Sequence, residues 1–217
     1  MEWRLLEGVA PAQVRELLQV ARRRTFVRNE VVIHRDDPAD SMHLISRGRF
    51  AIRVMTPLGD TATIAVRGPG ESFGEMALLA ASPRRSATVS ALEDAETYSV
   101  FRDDFDQLRR KHRHIDDILL HFLTSEVRML NDRLLEALYV PVEKRVVRRL
   151  VELADIYNAG AGRAVVTLSQ EIVAELAGAK RPTVNQVLRN LQERKIVALS
   201  RGRIEIVDLD ALKARGR

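Results

Sequence analysis

The run QEIVAELAGAKRPTVNQVLR, Gln170 to Arg189, meets the steric demands of a twenty-residue helix-turn-helix. Ala174, fifth in the run, is small where a second helix must cross closely. Gly178, ninth, lets the chain take a positive φ in the turn, and Val184 and Val187, fifteenth and eighteenth, lock the two helices together. Ser169 can cap the first helix, and Glu171 in its first turn complements the positive end of the helix dipole. Pro182 falls at the start of the second helix, where the missing N–H costs nothing. On that helix Val184, Val187, Leu188 and Leu191 share one face, which leaves Pro182, Asn185, Gln186 and Arg189 on the other. Arg181 and Gln186 carry the donors for bidentate contacts to base edges in a major groove, whereas Ser169, Gln170 and Thr183 suit phosphate oxygens. Downstream, Ile196 to Ala198 and Arg203 to Val207 flank Ser200, Arg201 and Gly202, which predicts a small hairpin and so a winged helix-turn-helix.

Charge separates this segment from the rest of the chain. Of 217 residues, 35 are Lys or Arg and 30 Asp or Glu, a net +5. From Val142 onward there are 15 basic and 9 acidic residues, leaving 20 against 21 before it. A basic module behind a neutral one suits a polyanion partner, because cationic side chains displace counterions condensed on nucleic acid. A structural helical pair with a solvated face is the alternative, but it leaves the local basic surplus unexplained. There is no Cys, which excludes disulfides, thiolate metal sites and a cysteine nucleophile. The five His have no metal-ligand or nucleophile spacing, so no metal and no enzyme is expected. Apolar stretches such as Met76 to Ala81 are far shorter than the ~18 residues of a membrane span, and Met1 to Arg4 opens no signal peptide, which points to a cytoplasmic protein without membrane contact.

Working toward the N-terminus, Pro141 ends one helical rhythm and Val142 to Ala154 begins another, so a short hinge is expected there. From Arg102 to Pro141 the pattern is helical, with Leu120, Leu123, Val127, Leu130, Leu134 and Ala137 alternately three and four residues apart. That is a coiled-coil seam, which pairs with a second copy of the chain or packs along its own sheet. Before it, from Thr25 to Val100, short β-branched or aromatic runs (Val31 to His34, Met42 to Ile45, Phe50 to Val54, Ala62 to Val66, Ala87 to Ala91, Glu96 to Phe101) alternate with turn residues such as Asp36, Pro57 and Gly70. An antiparallel roll is expected, preceded by a short amphipathic helix over Pro11 to Arg22.

Within the roll, FGEMALLAASPRRSATV from Phe73 to Val89 combines three useful elements. Gly74 permits close backbone approach, Glu75 to Ala80 can form a short helix whose N-terminal amides favour an anion, and Arg85 with Ser86 adds a charge and a hydroxyl. Such a pocket would hold one phosphate. Glu75 then either accepts a hydrogen bond from a sugar hydroxyl or forms a buried structural pair with Arg85.

With these residues in hand, the whole chain resembles the cyclic AMP receptor protein / fumarate and nitrate reduction regulator (CRP/FNR) family. The run from Phe73 to Val89 is similar to that family's phosphate-binding cassette, with Arg85 eleven residues after Gly74. The resemblance implies that Glu75 binds the ribose 2′-hydroxyl, that Arg85 and Ser86 bind the cyclic phosphate, and that backbone groups of Gly74 and Met76 complete the site. Two hydroxyl residues that read adenine in the family become Leu130 and Asn131 here. Asn131 can still hydrogen-bond a base, or can serve as a polar residue fixing coiled-coil register. Turn glycines of the family are replaced by Asn29 and Asp36, both tolerable at positive φ, and Pro182 stands where the receptor has an acidic base-reading residue.

The expected fold is α+β: an N-terminal antiparallel β jelly-roll of the cyclic-nucleotide-binding type over residues 1–102, a dimerisation helix over 103–140, and a C-terminal winged helix-turn-helix over 141–217. The expected function is a homodimeric DNA-binding transcription regulator controlled by a cyclic nucleotide, cyclic AMP ahead of cyclic GMP, with RNA polymerase a candidate further partner. The alternative is a family regulator that binds DNA without an effector, its Glu75 and Arg85 being a structural pair.

Overall fold

A computed structural model describes residues 2–56, 59–79, 84–157 and 163–217. The expected turn residue Pro57 and the expected helix end Ala80 lie outside the described residues.

The chain forms two compact units, one of residues 1–61 and 65–129 and the other of residues 62–64 and 130–217. In the first, β1 (Arg22–Phe26), β8 (Ala95–Phe101), β3 (Ser41–Arg47) and β6 (Ser72–Phe73) form one four-stranded sheet in the order β1-β8-β3-β6. A second sheet, β2-β7-β4-β5, contains β2 (Val31–Ile33), β7 (Thr88–Ala91), β4 (Phe50–Met55) and β5 (Thr61–Arg67), whose Ala62–Ile64 cluster with the other unit. The pairings β1–β8, β3–β8, β3–β6, β2–β7 and β4–β7 are antiparallel, as expected of the roll.

Alternation along β3 builds two cores. Ile45 packs with Phe26, Phe50, Phe73 and Val89, residues drawn from both sheets. Met42 and Leu44 instead join a cluster containing Trp3, Leu5, Leu17, Phe105, Leu108, Ile115 and Leu119. These come from the N-terminal segment and from α1 (Pro11–Val20), α3 (Arg102–Lys111) and α4 (His114–Tyr139). Residues 41–45 are buried throughout because successive side chains point to opposite faces and both faces are covered. Asn29 and Asp36 take φ of 69° and 68°, so the two replacements for turn glycines adopt the conformation expected of them.

The helical stretch after Arg102 is two helices rather than one. His112, with φ −133° and ψ 80°, ends α3 before α4 begins at His114. No Gly or Pro marks this break. α3 buries Phe105 and Leu108. α4 buries only Ile115 and Leu119 and leaves its remaining apolar stripe exposed: Leu120 65%, Val127 55%, Leu130 60% and Leu134 57%.

In the second unit, α5 (Val142–Tyr157) follows Pro141 and is joined to the end of α4 by ion pairs, Arg133 with Glu152 at 3.5 Å among them. Glu136 accepts from Arg148 at 2.6 Å and also from Arg149, a guanidinium that is 5% exposed. α6 (Gln170–Ala177) and α7 (Arg181–Glu193) are the predicted helix pair. Their hairpin, β10 (Val197–Ser200) with β11 (Arg203–Ile206), is extended by the two-residue β9 (Val165–Val166), and α8 (Leu209–Gly216) closes the chain.

Candidate effector pocket and nucleic-acid interface

Gly74 follows β6 with φ +82°, and a Cβ added there would stand 2.9 Å from Arg85 Nη1 and 3.2 Å from the Ser41 carbonyl oxygen. Only glycine satisfies both the backbone and the guanidinium beside it. α2 (Met76–Leu79) starts immediately after Glu75. Arg85 is buried; its Nη1 donates to the Ser41 carbonyl oxygen at 2.6 Å and its Nη2 to Ser41 Oγ at 3.1 Å. Burial pushes its pKa down, while Asp40 and Asp37 push it back up. Met76 and Ser86 are exposed and in contact, Ser86 Oγ lying 3.8 Å from Met76 Sδ. The cassette thus brings Gly74 to Arg85 and Met76 to Ser86. Asn131 is exposed on α4 and belongs to the other unit.

No ion pair joins Glu75 to Arg85, so the structural-pair alternative for these two residues is not formed. Glu75 instead lines a one-water-sized polar cavity of about 10 Å³ with Arg4, Arg67, Glu71, Ser72, Phe122 and Glu126. Arg67 is held by Glu71 at 2.8 Å and Glu126 at 3.3 Å, while Glu75 Oε2 is buried without a hydrogen-bond partner. Burial pushes the Glu75 carboxyl above its ordinary range, Arg67 draws it down, and Glu126 raises it again. A carboxyl whose folded pKa is raised costs the fold nothing while both states are protonated. The cost appears as pH climbs past the unfolded value and is complete above the folded one. Glu75→Gln is therefore expected to raise the thermal midpoint at pH 7 by about 2–4 °C, the shift that accompanies roughly 1 kcal/mol in a chain of this size. The gain should vanish below about pH 4, near the ordinary Glu value; calorimetric melts at the two pH values check it.

Nearby, His43 is a core residue. Its Nδ1 lies 3.0 Å from Thr97 Oγ1, its ring stacks on Phe73 at 4.8 Å, and burial with the charges of Arg85 and Arg24 pushes its pKa to about 3. It is neutral at physiological pH. Among the described residues no group of His, Cys, Asp or Glu could hold a metal ion, and no helix is long and apolar enough to cross a membrane.

In the second unit, Ser169 caps α6 by accepting from the Ile172 amide at 3.3 Å, and Gly178 is left-handed at φ 56°, ψ 46°. Val184, Val187, Leu188 and Leu191 are buried, and Arg181, Pro182, Gln186 and Arg189 are exposed, as the wheel predicts. Thr183 is half-buried. Asn185 departs from the expected outer face: it is half-buried, and its Oδ1 is enclosed without a partner. One step of a helix rotates a side chain by about 100°, which carries position 185 toward the flank of the buried stripe.

Ser169, Gln170 and Arg181 line a cleft of about 300 Å³ whose far wall is the hairpin turn of Arg201, Gly202 and Arg203. The two hairpin arginines were not singled out in the sequence as contact residues. The signal was their place on either side of the turn glycine, which turns the tip of the hairpin back toward the start of α7. With Arg181 they give the cleft three cations against the single carboxylate of Glu171, an arrangement suited to a phosphate backbone.

Comparison with known proteins agrees with both units. Residues 23–112 match the family model of the cyclic nucleotide-binding domain, and residues 144–215 match that of the Crp-like helix-turn-helix domain. The chain is 31% identical over 202 residues to the cyclic AMP receptor protein of Thermus thermophilus, covering 93% of this chain and 91% of that protein. It is 28% identical over 216 residues to the CRP-like cAMP-activated global transcriptional regulator of Mycobacterium tuberculosis, covering 98% and 96%. The crystal structure of the Thermus thermophilus catabolite activator protein matches with a TM-score of 0.57 at 29% identity, covering 98% of each chain. A cyclic-nucleotide-binding β-roll followed by a Crp-like reading head, with relatives matched along nearly their whole length, is the make-up of regulators rather than enzymes: the chain belongs to the CRP/FNR family of DNA-binding transcription regulators.

Proposed function

We propose that the chain is a homodimeric, cytoplasmic regulator whose affinity for a pseudo-palindromic DNA site is raised by a cyclic nucleotide held in the Gly74–Ser86 cassette, cyclic AMP ahead of cyclic GMP. The observation that carries this reading is the orphaned Oε2 of Glu75. A buried acceptor without a donor is costly, and a ribose hydroxyl is a donor of the right chemistry. Arg85 supplies the cation for the phosphate, Ser86 a hydroxyl, and Gly74 and Met76 backbone groups. The relatives named for cyclic AMP favour that nucleotide. The exposed seam of α4 is the surface a second copy would cover, and Ala137 continues it by one step. Two α7 helices would then address major grooves about 34 Å apart. Arg181, Gln186 and Arg189 would reach bases or the backbone from α7, Thr183 and Asn185 would support them, and Ser169 and Gln170 would meet phosphate. The nucleotide acts by population shift: it favours one packing of the paired helices and can bias it only by its differential affinity for the two arrangements.

Selection of binding sites from a random double-stranded DNA pool, followed by anisotropy titrations, tests the reading. Affinity for the selected site is expected to rise about 10-fold or more with cyclic AMP, within the usual range of coupling between two sites. Equal affinity with and without cyclic AMP or cyclic GMP would leave a DNA-binding regulator without this effector.

A further inference from the structure

The cation assigned to the nucleotide phosphate already faces an anion of the protein itself. Arg85 Nη2 lies 3.7 Å from Asp40 Oδ1, and the Asp40 side chain is 72% exposed where the guanidinium is 8% exposed. A relay connects the two: Arg85 Nη2 donates to Ser41 Oγ, and Ser41 Oγ donates to Asp40 Oδ1 at 3.0 Å. The loop that carries Asp36, Asp37 and Asp40 is pinned to the cassette at Arg84 and Arg85. The Asp36 amide donates to the Arg85 carbonyl at 2.9 Å, the Arg85 amide donates to the Asp37 carbonyl at 3.0 Å, and Arg84 Nη1 donates to the Asp36 carbonyl at 2.7 Å. Asp37 adds a second negative charge felt at Arg85. An acidic rim is thus held in fixed register over the one buried guanidinium of the cassette.

We infer that Asp40, backed by Asp37, sets the effector affinity of the cassette by competing with the ligand's phosphate for Arg85. The inference rests on the cyclic-nucleotide reading above. Asp40 is not needed to orient Arg85, because the Ser41 carbonyl, a main-chain group that no substitution removes, already fixes Nη1 at 2.6 Å. What Asp40 adds is charge, and an arriving phosphate must displace or share it. The rim therefore discriminates by ligand charge: it penalises an anionic cyclic nucleotide and leaves a neutral nucleoside untouched. Because Asp40 is exposed, its effect is screened by salt.

Calorimetric titration of the full chain with cyclic AMP, cyclic GMP and adenosine tests this, using wild type, Asp40→Asn, Asp40→Glu and Arg85→Leu. At such a separation two unit charges interact through water strongly enough for about a fivefold change in an equilibrium constant, so Asp40→Asn is expected to bind the preferred cyclic nucleotide about fivefold more tightly at low salt. The gain should shrink at high salt, be absent for adenosine, and be reversed by Asp40→Glu. If wild type binds and Arg85→Leu does not, yet Asp40→Asn binds no more tightly than wild type, the competition is overturned while the sensor reading stands. If wild type binds neither cyclic nucleotide, or Arg85→Leu binds as well as wild type, the sensor reading falls and the competition falls with it.

Discussion

Arg85→Leu is expected to abolish cyclic-nucleotide-stimulated DNA binding while leaving DNA affinity without nucleotide unchanged. Hydrogen bonds to a charged group contribute about 1.5–3 kcal/mol each, so losing the two that a guanidinium can make to one phosphate lowers nucleotide affinity by at least about 100-fold. The same change leaves the Ser41 carbonyl oxygen without the donor now 2.6 Å away, which costs about 1–3 kcal/mol of stability. Arg85→Gln separates the two effects, since its amide can still donate to Ser41 but carries no charge. It should melt close to wild type and bind nucleotide as poorly as the leucine variant. Unchanged nucleotide affinity in either variant would refute the assignment of Arg85.

Placing carboxylates in the seam is the second large effect. Val127 and Leu134 are 55% and 57% exposed on α4, and their burial against a second copy would contribute up to about 1.5–3 kcal/mol per side chain. With Val127→Glu and Leu134→Glu together, like charges face each other across the pair. Sedimentation should then show monomers at micromolar concentration. Affinity for the selected DNA site should fall by about 10²–10⁴, because the second reading head no longer binds at the high effective concentration of a tethered partner. Neither side chain contributes to the cores of the single chain, so the variant should keep the wild-type circular dichroism. A variant that sediments and binds as wild type does would remove the seam from the account.

The reading head was legible because each demanding position of its pattern has a local steric cause. Ser169 caps, Gly178 is left-handed, and Val184, Val187, Leu188 and Leu191 are buried, all within one short segment. In the cassette, the glycine read as a point of close backbone approach takes φ +82°, where a Cβ would stand 2.9 Å from Arg85 Nη1. Elements that depend on distant partners were not legible. β1 reads RRRTF and is exposed at four of its five positions, so no alternation announces it; it is a strand because β8 pairs with it. β6 and β9, two residues each, are too short to carry a period. Side-chain geometry at the pocket was hidden for a related reason. Glu75 shares its cavity with Arg67 and Glu126, which stand 8 and 51 residues away in the chain, while the Arg85 guanidinium is taken up by Ser41 on β3.

The grip of Glu136 on Arg148 and Arg149 bears on how such regulators are recombined. Pro141 is the natural place to cut, because α4 ends at Tyr139 and α5 begins at Val142. Yet the carboxylate that neutralises two α5 guanidiniums, one of them buried, lies upstream of that proline. A graft of this reading head onto a foreign sensor that begins at Pro141 would strip Glu136 from both guanidiniums and leave buried Arg149 with Glu152, 3.0 Å away on α5, as its carboxylate. The transplantable module starts at least one helical turn earlier, with Glu136 inside it.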